Sequence, residues 1–402
     1  MHLSKKQLTF LVLAGLGVAF GAGAWFAQPY LGFLPLLRKP PIDLGDVLPT
    51  PGKNETGLPL ELPQGFSMSV FAKDLENPRV VIEAPNRTLL VSVPTEGKVV
   101  TLTDADGDGQ AEGSVLIQGL ERPHGLALDA QGSLLYVAES NALSVYTYDP
   151  DKRTATGRKK LADLPDDGRH WSKTLLPFDG DLLVSIGSSC DVCHEEDARR
   201  GSVQLFDLQA SALAPYAVGL RNAVFLTMGP DQKVWATEMG RDFLGDNLPP
   251  DEINIIEKEK NYGWPNCYGK NIHDTVFDKN TYIRNPCMEP FETQSLIDLP
   301  AHSAPLGLAF VPSGKGWPKE YEGNVLVAYH GSWNRTVPTG YAIRRFFLDS
   351  KNNVVKDEDF VSGWLTEKGV LGRPADLKFA SEGTLYVSDD RAGLIYRITP
   401  PR

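Results

Sequence analysis

Beyond residue 60 this chain has almost no stretch with the three-to-four-residue apolar spacing of an amphipathic helix, which leaves an all-β reading of its 402 residues. It also has no excess of positive charge: 40 Lys and Arg stand against 51 Asp and Glu, a formal net charge of −11. Phosphate backbones are bound by basic faces, so nucleic acid is excluded as a partner. Cysteine is scarce, at four residues. What the chain has in quantity is glycine and proline, 38 and 30 residues, scattered and not clustered. That is the punctuation of many short strands joined by turns. The length allows a large core in one or two domains.

The N-terminus carries a membrane signal. Lys5 and Lys6 precede an uncharged, mostly apolar run from Leu8 to Leu37. A cleaved signal peptide has a shorter apolar core, whereas about 20 apolar residues span a bilayer. Residues 1–37 are therefore expected to be a transmembrane anchor, with a signal peptide cut near Gly23-Ala24 as the alternative. The two lysines stay cytoplasmic and the rest of the chain lies on the periplasmic side. Residues 38–60, with several prolines and glycines, read as a linker. Export makes disulfides permissible. Cys267 with Cys287 would close a loop of about twenty residues, worth about 3 kcal/mol. Cys190 and Cys193 could form a tight second bridge. Cys190-Asp191-Val192-Cys193-His194 is also the attachment pattern of c-type haem, but little helical sequence lies nearby to wrap a haem, and the disulfide is the favoured reading.

A similar unit returns along the chain: a short apolar strand, a turn, a Leu-x-Val strand and a further strand. The units begin at Asn77, Arg122, His170, Leu220, Ala304 and Gly372. Repeats of this size built from strands predict a β-propeller, one four-stranded blade per unit. The expectation is a six-bladed β-propeller over residues 61–402, with Gly65 to Leu75 completing the last blade. An open β-sandwich is the alternative. In a propeller the innermost strands line the central channel, so the residues just ahead of them converge at one mouth. Here these are Arg79, His124, His170, Arg221 with Asn222, and Arg373, while the unit at Leu306 offers none. A ring of cations and imidazoles in an acidic protein predicts an anionic ligand, held by charge-assisted hydrogen bonds.

The stretch from Gly219 to Gly269 is the most informative. It holds Arg221-Asn222, a strand, a Gly229-Pro230-Asp231 turn, a second strand, Glu238-Met239-Gly240, a loop, Asp251-Glu252-Ile253-Asn254, and Asn261-Tyr262-Gly263-Trp264-Pro265. The carboxylates and glycines of the loop suit a hard cation. Five elements in this order resemble the signature of the quinoprotein (PQQ-dependent) sugar dehydrogenases, in particular the sorbosone, pyranose and aldose dehydrogenase branch, related to soluble glucose dehydrogenase. The resemblance covers roughly residues 62 to 400.

The resemblance implies pyrroloquinoline quinone (PQQ) with Ca²⁺ as cofactors. It implies His170 as the general base, a role that suits a neutral imidazole. Arg169 stands where the family's best-known branch has an aspartate, so what orients His170 is left open. Arg221 and Asn222 match the cofactor-contacting pair. Gly240 and Arg241 occupy the loop whose carbonyls hold the cofactor's calcium, and the Arg241 side chain should point away or meet the cofactor. Glu252 and the carbonyl of Tyr262 resemble ligands of a second, structural calcium. Arg373 matches a cofactor arginine by its spacing to Asp376, His124 falls where the glucose enzyme has a glutamine near substrate, and His330 or Arg335 falls where it has a lysine. Asp104, Asp106 and Asp108 resemble the front of an EF-hand, but Val115 at the twelfth position excludes one. A hairpin tip with optional calcium remains.

The reading is an enzyme acting on CH–OH donors. It would oxidise the anomeric hydroxyl, or aldehyde, of an aldose or sorbosone-like sugar and pass electrons to a membrane quinone or a cytochrome. A Ca-dependent lactonase-type hydrolase would need converging carboxylates and asparagines where this chain has arginine and histidine. A non-catalytic binding propeller is the other alternative.

Overall fold

A computed structural model describes residues 52–290 and 292–401. The anchor or signal segment expected over residues 1–37 lies outside them, and among the described residues no helix is long and apolar enough to cross a membrane. Six antiparallel sheets follow one another along the chain. Blade one is Val81–Glu83, Leu89–Val93, Lys98–Thr103 and Glu112–Gln118, and blade two is Gly125–Leu128, Leu134–Ala138, Ala142–Asp149 and Thr154–Asp163. Blade three is Leu175–Phe178, Asp181–Ile186, Ser202–Asp207 and Ala212–Val218. Blade four is Phe225–Met228, Val234–Glu238, Asp251–Ile256 and Ile297–Leu299, and blade five is Pro305–Phe310, Val325–Tyr329, Ala342–Leu348 and Val354–Val361. Blade six combines Pro374–Phe379, Leu385–Asp389 and Leu394–Thr399 with Ser67–Ala72 from the start of the fold.

The burial pattern explains why these residues make these strands. Second strands such as Leu89–Val93 and Val325–Tyr329 are buried at every position, because a neighbouring blade covers each face. Outermost strands are largely wet. Thr154–Asp163 carries Arg158, Lys159 and Lys160 and breaks register twice against its partner, which guards a sheet edge against pairing with another chain. The innermost strand of each blade contacts those of the blades on either side, and the ring closes from blade six to blade one. Gly307 marks how close these strands come. A Cβ there would lie 2.7 Å from Asp376 Cα and Leu377 N on the next inner strand.

The expected closure by the 65–75 segment is found: Ser67–Ala72 pairs antiparallel with Leu394–Thr399. The linker expected over 38–60 needs correcting at its C-terminal end. Lys53–Glu55 adds a fifth, parallel strand to blade six, and Leu58, Leu60 and Leu62 are buried with Phe66, Trp317, Phe360 and Trp364. Asn54 Nδ2 donates to the carbonyls of Leu58 and Leu60, which fixes the turn between. The segment from Asp104 to Gln110 is a hairpin tip between the third and fourth strands of blade one, where Asp104 accepts from the amides of Gly107 and Gly109. Cys267–Cys287 and Cys190–Cys193 are both disulfides, and among the described residues no cysteine is free for haem attachment.

Substituting Gly307→Ala should push inner strands five and six apart and destabilise the fold by about 1–3 kcal/mol. Urea unfolding would show this as a lower midpoint at an unchanged slope.

Candidate functional site

At one mouth of the channel the segments leading into the inner strands enclose a cavity of about 650 Å³. It receives Arg79, His170, Arg221, Asn222 and Arg373 from the expected ring, and His330 from the loop after Val325–Tyr329. It also receives His302, three residues ahead of Pro305–Phe310, so the blade that offered nothing by sequence does contribute. The repeat unit read from sequence begins at Ala304, just past this histidine. A larger groove of about 980 Å³ runs along the seam of blades six and one and shares Asn77, Asp390 and Arg391 with the cavity, but no histidine or tryptophan lines it.

Two of the expected residues lie elsewhere. His124 is fully buried below the cavity, its Nδ1 3.1 Å from the Lys173 carbonyl and its ring edge-on to Trp171 and Phe225. Burial, then the Arg79 charge, pushes it well below the ordinary histidine value. Arg335 turns outward and donates to the Ala301 carbonyl and to Asn247 Oδ1. Of the two candidates in that loop, His330 is the one at the cavity.

His170 is held as a base requires. The Ser188 hydroxyl donates to the Cys190 carbonyl at 2.7 Å. Both Ser188 oxygens therefore accept from His170 Nδ1, each at 2.9 Å. The proton sits on Nδ1 and the Nε2 lone pair is left available. This supplies the orientation left open by Arg169. Burial, then the Arg221 charge, lowers His170 to about 3, so the ring is neutral. Gly187 makes the arrangement possible, since a Cβ there would stand 2.6 Å from both His170 Cβ and Asn222 Oδ1.

The cations are not bare. Arg221 donates from Nε to the Asp191 carbonyl at 2.8 Å and from a terminal nitrogen to Asp191 Oδ1 at 2.7 Å. It also reaches Asp242 and the Met239 carbonyl. Arg169 shares Asp242, and Asn334 Nδ2 donates to its other oxygen. Across the cavity Asp390 lies between Arg79 and His330 Nε2, the latter at 2.8 Å. Burial pushes Asp390 up, but His330 and Arg79 outweigh it and hold the carboxyl below the usual range. The carboxylates Asp191, Asp242 and Asp390 were missed by sequence reasoning. Their only signal was proximity to the Cys-x-x-Cys, Glu-x-Gly and last-blade motifs.

Two guanidinium nitrogens on the cavity wall, Arg79 Nε and Arg373 Nε, are buried with no acceptor among the described residues. A polycarboxylate would supply one. Beside the main cavity lies a pocket of about 20 Å³, lined by all four expected metal residues, Gly240, Arg241, Glu252 and Tyr262, with Glu238 and Asp274. Glu238 Oε2 is buried there without a partner. Burial raises Glu238 well above the usual carboxylate value and Glu252 to about 7. A pocket of this size and oxygen chemistry fits one hard cation. Arg241 does not line the main cavity and pairs with Asp274 at 2.8 Å.

A family model described as TrAA12-like matches residues 60–401. A pyrroloquinoline quinone-dependent pyranose dehydrogenase of Coprinopsis cinerea is 22% identical over 422 residues, covering 87% of this chain and 56% of that protein. The chain thus spans little more than half the length of the first curated relatives it matches. The holo PQQ domain of a Coprinopsis cinerea pyranose dehydrogenase superposes with a TM-score of 0.72 at 20% identity, covering 88% of this chain and 100% of that domain. A calcium structure of the Trichoderma reesei family AA12 enzyme gives 0.73 at 21% identity, covering 87% and 100%. These likenesses show the fold.

Asp390→Asn should leave the Arg79 guanidinium buried without its counter-charge and destabilise the protein by about 3–5 kcal/mol. The check is the denaturation midpoint beside that of an exposed control, Asp357→Asn.

Proposed function

This chain belongs to the TrAA12-like family, the quinoprotein sugar dehydrogenases its motifs resemble, and on that footing we propose that it is a PQQ- and Ca²⁺-dependent sugar oxidoreductase. Its substrate is the anomeric hydroxyl of an aldose, or a sorbosone-like aldehyde, with His170 as general base. The observation that carries the proposal is His170 itself. It is a neutral imidazole with its Nδ1 proton committed to Ser188, and it faces a cavity whose wall holds two guanidinium nitrogens without acceptors.

The bound quinone would supply hydride acceptance, with its calcium as Lewis acid. Arg79 and Arg373 would hold its carboxylates, with Asn222 and His330 alongside. Gly240, which also lines the main cavity, and the Arg241 backbone beside it would hold the cofactor's calcium on the cavity side, and Glu252 and Tyr262 a second cation in the small pocket. His170 Nε2 would take the hydroxyl proton as the C1 hydride departs, and an aldose would leave as its lactone. Cations already fixed in the wall need no reorganisation as negative charge develops. Trp171 and Trp333 line the same cavity, and Trp333 meets Phe243 edge-on at the rim, 5.7 Å between centroids. These are apolar faces against which a sugar ring can pack. A membrane quinone or cytochrome would take the electrons, on the periplasmic side of the membrane.

The test is reconstitution of the chelator-stripped full chain. Aldose oxidation with a dye acceptor should require both PQQ and Ca²⁺. His170→Ala should lower kcat by about 10²–10⁴-fold, the range of one general base, while quinone binding persists. Turnover that is indifferent to His170, or to the quinone, would contradict the proposal. The pH dependence follows from burial. The unfolded chain binds a proton at His170 near 6.5, and the folded chain only near 3. His170's stability contribution is therefore complete above 6.5 and lost as pH falls towards 3. The acid limb of kcat/KM should accordingly lie well below 6.5.

A further inference from the structure

Blade three carries an insertion between Asp181–Ile186 and Ser202–Asp207, and the Cys190–Cys193 bridge closes a four-residue ring within it. We infer that Asp191, held in this ring, is the positioning residue of the cofactor pocket: it sets Arg221 and the path of the Gly240–Asp242 loop. The inference rests on the functional reading above and concerns how the pocket is shaped before a ligand binds.

Three connections support it. The Asp191 carbonyl accepts from Arg221 Nε at 2.8 Å, and Asp191 Oδ1 accepts from the same guanidinium at 2.7 Å. Asp191 Oδ1 also accepts from the Asp242 amide at 2.8 Å, tying down the end of the loop expected to hold the calcium. The Cys190 carbonyl accepts the Ser188 hydroxyl proton and thereby leaves Ser188 as the acceptor that fixes the His170 tautomer. One ring thus touches Arg221 and the metal loop directly and reaches His170 through Ser188.

The two bridges differ in what they can do. Cys267–Cys287 spans 20 residues and restrains the unfolded chain, whereas Cys190–Cys193 spans 3 and restrains little of it. Its effect is local. It removes alternative conformations from Cys-Asp-Val-Cys, a loop without regular structure, so that Asp191 presents two acceptors to Arg221 together. With four of its five N–H groups directed at protein acceptors, Arg221 is aimed before any ligand arrives. Pre-aiming of this kind raises affinity by lowering the ordering cost of binding.

The test compares wild-type chain, the double variant Cys190→Ser with Cys193→Ser, Asp191→Ala, the milder Asp191→Asn, and a control with Cys267→Ser and Cys287→Ser. Three readouts are taken: thermal unfolding of the apoprotein, hydrogen exchange over residues 239–242, and PQQ binding in the presence of Ca²⁺ from quenching of tryptophan fluorescence. The disulfide double variant should keep the wild-type melting temperature within a few degrees, whereas Asp191→Ala, which leaves buried Arg221 with Asp242 alone, should lower it further. Both should exchange the Asp242 amide at least tenfold faster and bind the quinone at least tenfold more weakly. Asp191→Asn, which retains an oxygen acceptor, should fall between them and wild type. The control should lose stability but leave the exchange of the Asp242 amide unchanged. Unchanged exchange and affinity in the ring variants would overturn the inference. So would affinity lost only in step with melting temperature, since that would make the ring a structural staple. Failure of wild type to bind the quinone would overturn the functional reading, and the exchange comparison would still decide the role of Asp191.

Discussion

Everything at the channel mouth depends on one strand pairing, that of Ser67–Ala72 with Leu394–Thr399. It puts the beginning and end of the described fold into one sheet and closes the circle of blades. Closure brings blade six against blade one, and this places Asp390, from the end of blade six, against Arg79, from the start of blade one. His330, from blade five, completes the cluster. An open stack of the same six sheets would leave these groups apart and the cavity without a wall. The buried stretch from Leu58 to Met68 reinforces the pairing with apolar area, which is the larger source of free energy.

The electrostatics of the site follow from that enclosure. Burial drives His170 towards its neutral form, and the surrounding arginines act in the same direction. The carboxylates Asp191, Asp242 and Asp390 stand behind the arginines, so the wall is rigid and partly neutralised. What faces the cavity is directional: the Arg79 and Arg373 guanidinium groups, one imidazole lone pair and two indole faces. That set suits an anionic ligand beside apolar ring faces.

Much of this was legible in the sequence, for physical reasons. The Leu-x-Val strands recur because every second strand is covered on both faces, so the repeat counted the blades correctly. The position just before an inner strand is a fixed place in a propeller, and that brought Arg79, His170, Arg221, Asn222 and Arg373 to one cavity. His124 occupies the same place in its own repeat, yet it sits one layer deeper against Phe225, a difference of depth that a one-dimensional pattern does not carry. The polar run Lys53–Glu55 has no strand-like alternation. Its pairing is dictated by the edge it meets and by the leucines that follow. Asp191 and Asp390 answer partners 30 and 311 positions away in sequence, so no local pattern could pick them out.

The central claim is that the channel mouth holds an anionic quinone between the Arg79–Arg373 wall and His170. A crystal structure of the chain soaked with PQQ and Ca²⁺ tests it most directly. The account predicts quinone carboxylates within hydrogen-bonding distance of the Arg79 and Arg373 guanidinium groups, with the reactive carbonyl edge open towards His170 Nε2. Quinone density in the seam groove between blades six and one, or against neither arginine, would contradict it.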